Sequence, residues 1–288
     1  MKKYVLVTAA RNEQTFIEST INAVVKQTIK PVKWIIVDDN STDKTPEIVK
    51  QYANKHEFIE LLQVKEHSTN RNFASKVYAI NMGIEKLKGT DYDFIGILDA
   101  DVTFDIDHYE KILEKFEKNP KLGLAGGEFY DVYDGKLNPI FKSSGSVRGA
   151  TAVFRKECFE DTGGFTPLKY GGEDAVIEAT ARMHGWEVQS FEEPVILHHR
   201  RTGSETFNIW TRKFYDGQIA YSMGYHPFFQ FLKSIHRFLE KPYIIGGLSM
   251  LAGFFWSYIN KHERYVSKEF IQHIRKEQLS RIKRFSIS

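Results

Sequence analysis

The sequence has almost no cysteine: Cys158 is the only one in 288 residues. A lone thiol excludes an intramolecular disulfide. With no Cys/His pairs at ligand spacing there is no zinc motif, so a reducing compartment is expected. No secretory leader is expected either, because the short apolar run after Lys2 and Lys3 ends at Arg11-Asn12-Glu13 before an h-region forms. Residues 4–8 therefore read as a first strand. Internal repeats and low-complexity tracts are absent, and so is a strong excess of either charge, since the net charge is only +3. The one long uncharged run, residues 242–259, has the eighteen residues of the lower limit for crossing a bilayer. Its three glycines, its serines and its terminal aromatics argue against a clean span. What the chain has in quantity is apolar residues, 42% with 14% aromatic, enough for the core of one large or two small α/β domains.

The most informative stretch is Asp93-Phe94-Ile95-Gly96-Ile97-Leu98-Asp99-Ala100-Asp101-Val102. Its apolar run is too short for a helix and reads as a buried strand with two carboxylates at its C-terminal end. At i and i+2 on a strand, Asp99 and Asp101 point to the same side. Such like charges call for a cation, and a hard divalent ion such as Mg²⁺ takes one or two carboxylates and completes its shell with phosphate oxygens. The bland reading is two solvated aspartates in a turn.

Around this stretch the chain alternates. Residues 4–8 form a strand that breaks into Ala9-Ala10-Arg11-Asn12-Glu13, and residues 16–25 carry apolar positions at helical spacing. Residues 33–37 form a second strand, which ends in Asp38-Asp39-Asn40-Ser41. Strand, helix and strand in under forty residues imply a right-handed βαβ unit, whose ligands bind beyond the carboxyl ends of the strands. Further strands are expected at 59–64, 122–130, 148–155, 186–191 and 195–197, with helices at 72–87, 106–119 and 175–184. Asp134-Gly135 marks a hairpin turn. Gly171-Gly172 leads into Glu173-Asp174 at a helix start, where acids gain roughly 0.3–1 kcal/mol each from the macrodipole. That gain does not explain the diglycine. His198-His199-Arg200-Arg201 follows the last strand and is either a solvated loop or part of a site.

Four ordered motifs carry a resemblance. Val37-Asp38-Asp39-Asn40-Ser41-Thr42-Asp43-Lys44-Thr45 is close to the nucleotide-binding signature of family 2 glycosyltransferases of the GT-A type. Leu98-Asp99-Ala100-Asp101 matches that family's Asp-x-Asp, and Gly163-Gly164-Phe165 followed by Glu173-Asp174 matches its acceptor-side segment. Ser75-Lys76, Ala79, Asn81 and Gly83 are similar to its Gly-Lys helix, with Ser75 where glycine is usual. The resemblance covers about residues 3–200 and implies a Rossmann-like α/β fold, a mixed and mostly parallel sheet flanked by helices. The expected catalytic domain is 1–203, with a helical extension over 204–288.

By that resemblance Asp39 accepts from the base of a uridine nucleotide, while the backbone of Ala9, Ala10 and Arg11 and the carboxylate of Glu13 line ribose and base. Asp99 meets the ribose or the water shell of the metal. Asp101 binds Mg²⁺ or Mn²⁺, with His198 or His199 as a further ligand; an imidazole favours Mn²⁺. Arg200 and Arg201 clamp the diphosphate, and Lys76 is a further phosphate or nucleotide contact. Asp174 is the expected general base of an inverting displacement. Glu173 orients Asp174 or the acceptor, and Arg148 reaches either substrate.

The tail adds a location. Residues 227–239, with Lys233 and Arg237, read as a basic amphipathic helix suited to a membrane interface, as does the basic stretch after residue 261. The resemblance extends to bacterial and archaeal enzymes that build exopolysaccharide or cell-surface glycans, where the acceptor is a glycan or is lipid-linked. A cytoplasmic protein, peripheral at the inner face of the cell membrane, is expected, and a homo-oligomer is compatible with it. No Gln-x-x-Arg-Trp motif of the processive synthases occurs. A nucleotidyltransferase would need a glycine-rich loop that residues 9–13 lack. A non-catalytic sugar-nucleotide or lipid-binding module has no use for Asp101 and Asp174 together, and the aromatics of the tail are not spaced to stack on nucleic acid.

Overall fold

A computed structural model describes residues 2–64, 74–140, 145–168, 171–201, 209–239 and 242–285. The start of the helix expected at 72 and the expected domain boundary at 203 lie outside these residues. The chain divides into two compact units, one of residues 1–167 and 173–202, the other of residues 168–172 and 203–288.

The first unit is built on a sheet of nine strands among the described residues. β1 (Tyr4–Ala10), β2 (Lys33–Asp39), β3 (Ile59–Val64) and β4 (Phe94–Ile97) pair in parallel in the order β3-β2-β1-β4. β5 (Val102–Phe104), β6 (Leu122–Tyr133), β7 (Lys136–Pro139), β8 (Val153–Arg155) and β9 (Glu187–His198) continue it as β4-β8-β6-β9-β5, with β7 on β6. β8 is antiparallel to both β4 and β6, and β9 is parallel to β6. Six of the strands therefore run the same way, and β1, β2, β4, β6 and β9 deliver their carboxyl ends to one edge.

Alternation along the strands feeds both faces. Tyr4, Leu6, Trp34, Ile36 and Phe94 pack against α1 (Ile17–Val25) and α4 (His108–Lys118), while Val5, Val7, Ile35, Val37, Ile95 and Ile97 face the opposite core with α3 (Ala74–Lys86), α5 (Lys156–Thr162) and α6 (Glu173–Met183). α2 (Thr45–Ala53) follows β2 directly, its start held by Asp43, which accepts from the backbone of Thr45 at 2.9 Å.

Three expected strands are corrected. Over 148–155 only Val153–Arg155 is extended, and Gly149–Thr151 is a 3₁₀ turn. The carbonyls of Ala150 and Ala152 accept from Asp99 and Ile97 at 2.9 and 2.8 Å, so the turn itself closes the end of β4. The two strands expected at 186–191 and 195–197 are one. β9 stays paired with β6 through an irregularity where Glu128, two residues past Gly126, meets Val195, five past Ser190. Such a bulge accommodates Pro194, which donates no ladder bond. Gly127 faces it, and a Cβ there would lie 1.9 Å from the Pro194 carbonyl oxygen.

The second unit holds α7 (Ile209–Ser222), α8 (Pro227–His236), α9 (Tyr243–Ile259) and α10 (Lys268–Phe285). α7 and α9 touch backbone to backbone, because a Cβ on Gly217 or Gly253 would lie 2.0 Å from the carbonyl oxygen of Met250 or Phe214. The polarity of one of these helices is inverted. α8 buries Gln230 and Ser234 and exposes Phe228, Phe231, Leu232 and Ile235. α9 buries its glycines, Met250, Phe254 and Ser257 and also exposes Tyr243, Ile244, Ile245, Leu248, Phe255, Trp256 and Ile259. Among the described residues no helix is long and apolar enough to cross a membrane.

Candidate active site

The loops after β1 and β2 are latched to each other. Asn12 and Asn40 both take left-handed backbone conformations, φ 54° and 56°, which asparagine tolerates better than most residues. The backbone of Asn12 donates to the Ser41 hydroxyl at 3.0 Å, and Thr42 donates back to Asn12 Oδ1 at 2.8 Å. Glu13 donates to the Thr45 hydroxyl at 2.7 Å. Ala9 and Ala10 lie in register with Val37 and Asp38, so residues 9–13 and Asp39 follow neighbouring parallel strands at the same end of the sheet. Asp39 is 5% exposed, with Arg11 Nη1 at 3.9 Å.

Next along the edge, Asp99 accepts from Lys76 Nζ at 2.6 Å. Burial opposes the lysine's charge, but Asp99 outweighs it and raises the Lys76 pKa, with Asp174 and Glu173 adding to the effect. Asp101 is 6% exposed and faces His198, whose Nε2 lies 3.3 Å from Oδ2. The other ring nitrogen, Nδ1, lies 2.7 Å from Oδ1 of Asp131. Burial alone would lower the His198 pKa; two flanking carboxylates raise it to about 9. Burial would likewise raise Asp101, yet His198, Arg200 and Lys76 hold its carboxyl below the usual range.

His198 is the last residue of β9, and His199 lies just past the strand end. His199 turns away from the carboxylates: its Nε2 meets the Thr103 hydroxyl at 2.8 Å and its ring stacks on Phe16. Arg200 is engaged by both oxygens of Glu13, with Nη1–Oε1 at 2.9 Å, and its Nε lies 3.5 Å from Asp101. Arg201 is exposed and covers the ring of Tyr133 at 5.6 Å.

Glu173 and Asp174 occupy the first turn of α6. Both preceding glycines have positive φ, 86° and 102°, which accounts for the diglycine. Gly149 comes so close to Asp174 that a Cβ would lie 2.2 Å from Oδ1. That contact, rather than strand packing, explains the small residues of this segment. Arg148 lies over the ring of Phe129 at 5.6 Å, and its charge is felt by both Asp131 and Asp174. Glu178, one helical turn beyond Asp174, fixes the segment before Arg148 by accepting from the Val147 backbone at 2.6 Å.

Sequence reasoning missed Asp131. The signal was an acid directly after the apolar strand expected at 122–130, the same arrangement as at Asp39 and Asp99. Among the described residues no three His, Cys, Asp or Glu side chains form a ready metal cluster. A carboxylate and an imidazole nitrogen that meet at Asp101 and His198, with the far nitrogen engaged by a buried acid, nevertheless suit a divalent ion that takes its remaining ligands from a diphosphate.

Comparison with known proteins gives this geometry a family. The model of Glycosyl transferase family 2 matches residues 5–167. The poly-beta-1,6-N-acetyl-D-glucosamine synthase of Staphylococcus epidermidis is 30% identical over 141 residues, 49% of this chain and 29% of that protein. The chain thus spans about three-tenths of that relative. Among solved structures, residues 1–349 of S. aureus TarS in complex with UDP-GlcNAc superpose with a TM-score of 0.58 at 16% identity, over 96% of this chain and 82% of that one. The mannosyltransferase PcManGT from Pyrobaculum calidifontis, solved with GDP-Man and Mn²⁺, superposes at 0.55 and 17%, over 99% and 81%. These likenesses establish the fold as that of GT-A glycosyltransferases. With the family model covering more than half of its length, the chain belongs to glycosyl transferase family 2.

Proposed function

We propose that the chain is an inverting glycosyltransferase that moves a sugar from a nucleotide-diphosphate donor, a UDP-sugar in the first instance, to a hydroxyl of a glycan or lipid-linked acceptor in surface polysaccharide assembly. The observation that carries this reading is the shared edge of the sheet, where a nucleotide crevice at Asp39, the Asp101–His198 pair and the Asp174 carboxylate follow one another. Asp39 accepts from the N–H of the base, and the backbone of Ala9 to Arg11 lines the nucleoside. Mg²⁺ or Mn²⁺ held by Asp101 and His198 would neutralise the departing diphosphate as a Lewis acid. Asp99 and Lys76 form a neutral pair beside it. Arg200, engaged with Glu13 and Asp101, braces those two carboxylates, and Arg201 is the guanidinium proposed for the phosphates.

Asp174 takes the proton of the acceptor hydroxyl as that oxygen bonds to the anomeric carbon, while the bond from that carbon to the phosphate oxygen breaks and the nucleoside diphosphate leaves. Glu173 orients the acceptor, and Arg148 restrains Asp174. Attack from the face opposite the leaving group inverts the anomeric centre. Proton NMR of the product formed from an α-linked UDP-sugar is therefore expected to show a β linkage; an α linkage would contradict Asp174 as base.

The outward apolar faces of the second unit support a place at the inner face of the membrane. Residues 203–288 hold 13 Lys and Arg against six Asp and Glu, and large apolar side chains on α8 and α9 face outward. Anionic lipid complements both features. The full chain is expected to float with vesicles containing phosphatidylglycerol and to be released by Phe231→Glu combined with Ile235→Glu. Flotation equal to wild type in that variant would contradict the lipid-facing role.

A further inference from the structure

Asp131 belongs to none of the four sequence motifs, yet it is one of the most deeply placed acids at the sheet edge, 4% exposed. Its position follows from topology. β6 and β9 run parallel, and the register that resumes after the Gly127–Pro194 bulge sets Asp131 opposite His198. The Asp131 Oδ1 to His198 Nδ1 distance is 2.7 Å, and the Phe129 ring lies beside the same imidazole with centroids 5.4 Å apart. A ring with a buried carboxylate on each nitrogen is a costly arrangement for packing alone, because desolvated acids need compensation.

The two nitrogens have different tasks if His198 is a ligand. An imidazole that binds a cation through Nε2 must carry its proton on Nδ1, and an acceptor at Nδ1 fixes both that tautomer and the ring plane. We infer that Asp131 is a positioning residue for the divalent-cation site: it accepts the Nδ1–H of His198 and so presents the Nε2 lone pair beside Asp101. This rests on the proposed role of His198. The charge of Arg148 acts on both Asp131 and Asp174.

The test is Mn²⁺ affinity, read by electron paramagnetic resonance on the full chain with UDP present, for wild type, Asp131→Asn, Asp131→Ala, His198→Ala and the double variant His198→Ala/Asp131→Ala. Outer-shell acids of this kind are typically worth 10–100-fold in metal affinity. Asp131→Ala is expected to lose affinity in that range, Asp131→Asn to lose less because its carbonyl can still accept, and the double variant to be no weaker than His198→Ala. An acid that merely supports the fold would give additive losses, and that result overturns the inference. So does wild-type affinity in both Asp131 variants while His198→Ala loses binding. If His198→Ala itself binds Mn²⁺ as wild type does, the metal role of His198 falls first, and this inference with it. Should Asp131→Ala fail to fold, the near-isosteric Asp131→Asn decides, with the ¹⁵N shift of His198 Nδ1 reporting whether the proton stays there on Mn²⁺ binding.

Discussion

Asp174→Asn is expected to lower kcat by about 10²–10⁴-fold, the usual worth of a general base, while nucleotide affinity stays near wild type. The asparagine keeps the shape and the first-turn position of Asp174 in α6 but cannot take the acceptor proton. Glu173→Gln should cost less, since the proposed role of Glu173 is orientation. The surroundings supply an independent check. Gly149 approaches Asp174 so closely that a Cβ would lie 2.2, 2.5 and 2.6 Å from Oδ1, Oδ2 and Cγ. Gly149→Ala therefore displaces the carboxylate, and a shift on the order of 1 Å can cost about 100-fold. Steady-state kinetics of both variants, with nucleotide titrations alongside, should show losses in kcat at unchanged nucleotide affinity. A fully active Asp174→Asn enzyme would remove the base from the scheme.

Much of this site is legible in the sequence because parallel strands buried on both faces read as unbroken apolar runs, and the acids that end them mark the edge where ligands bind. Asp39, Asp99 and Asp101 follow directly. The parts that are not legible depend on pairing between distant segments. Asp131 meets His198 across 67 residues only because β6 and β9 are parallel and in register past a bulge. Arg200 meets Glu13 across 187 residues, so an arginine that the resemblance assigns to phosphate is also engaged with a carboxylate. The short segment 148–155 reads as a strand because its small residues suit close packing; the structure uses that smallness to bring Gly149 against Asp174. For α8 the apolar stripe is visible in sequence, but only the fold shows that Gln230 and Ser234 face inward and the phenylalanines face out.

Asp101→Ala is expected to produce the largest loss at the donor side. This carboxylate is the point where Nε2 of His198 and Nε of Arg200 converge, at 3.3 and 3.5 Å. Without it, the proposed cation loses one of its two protein ligands, and Nε2 of His198 and Nε of Arg200 lose the carboxylate between them. Isothermal titration of UDP into wild type and Asp101→Ala, each with and without Mn²⁺, tests the account most directly. Mn²⁺ is expected to strengthen UDP binding to wild type by at least about tenfold, about 1.4 kcal/mol, and Asp101→Ala to lose this gain. UDP binding that is equally strong with and without metal in both proteins, or no nucleotide binding at all, would contradict it.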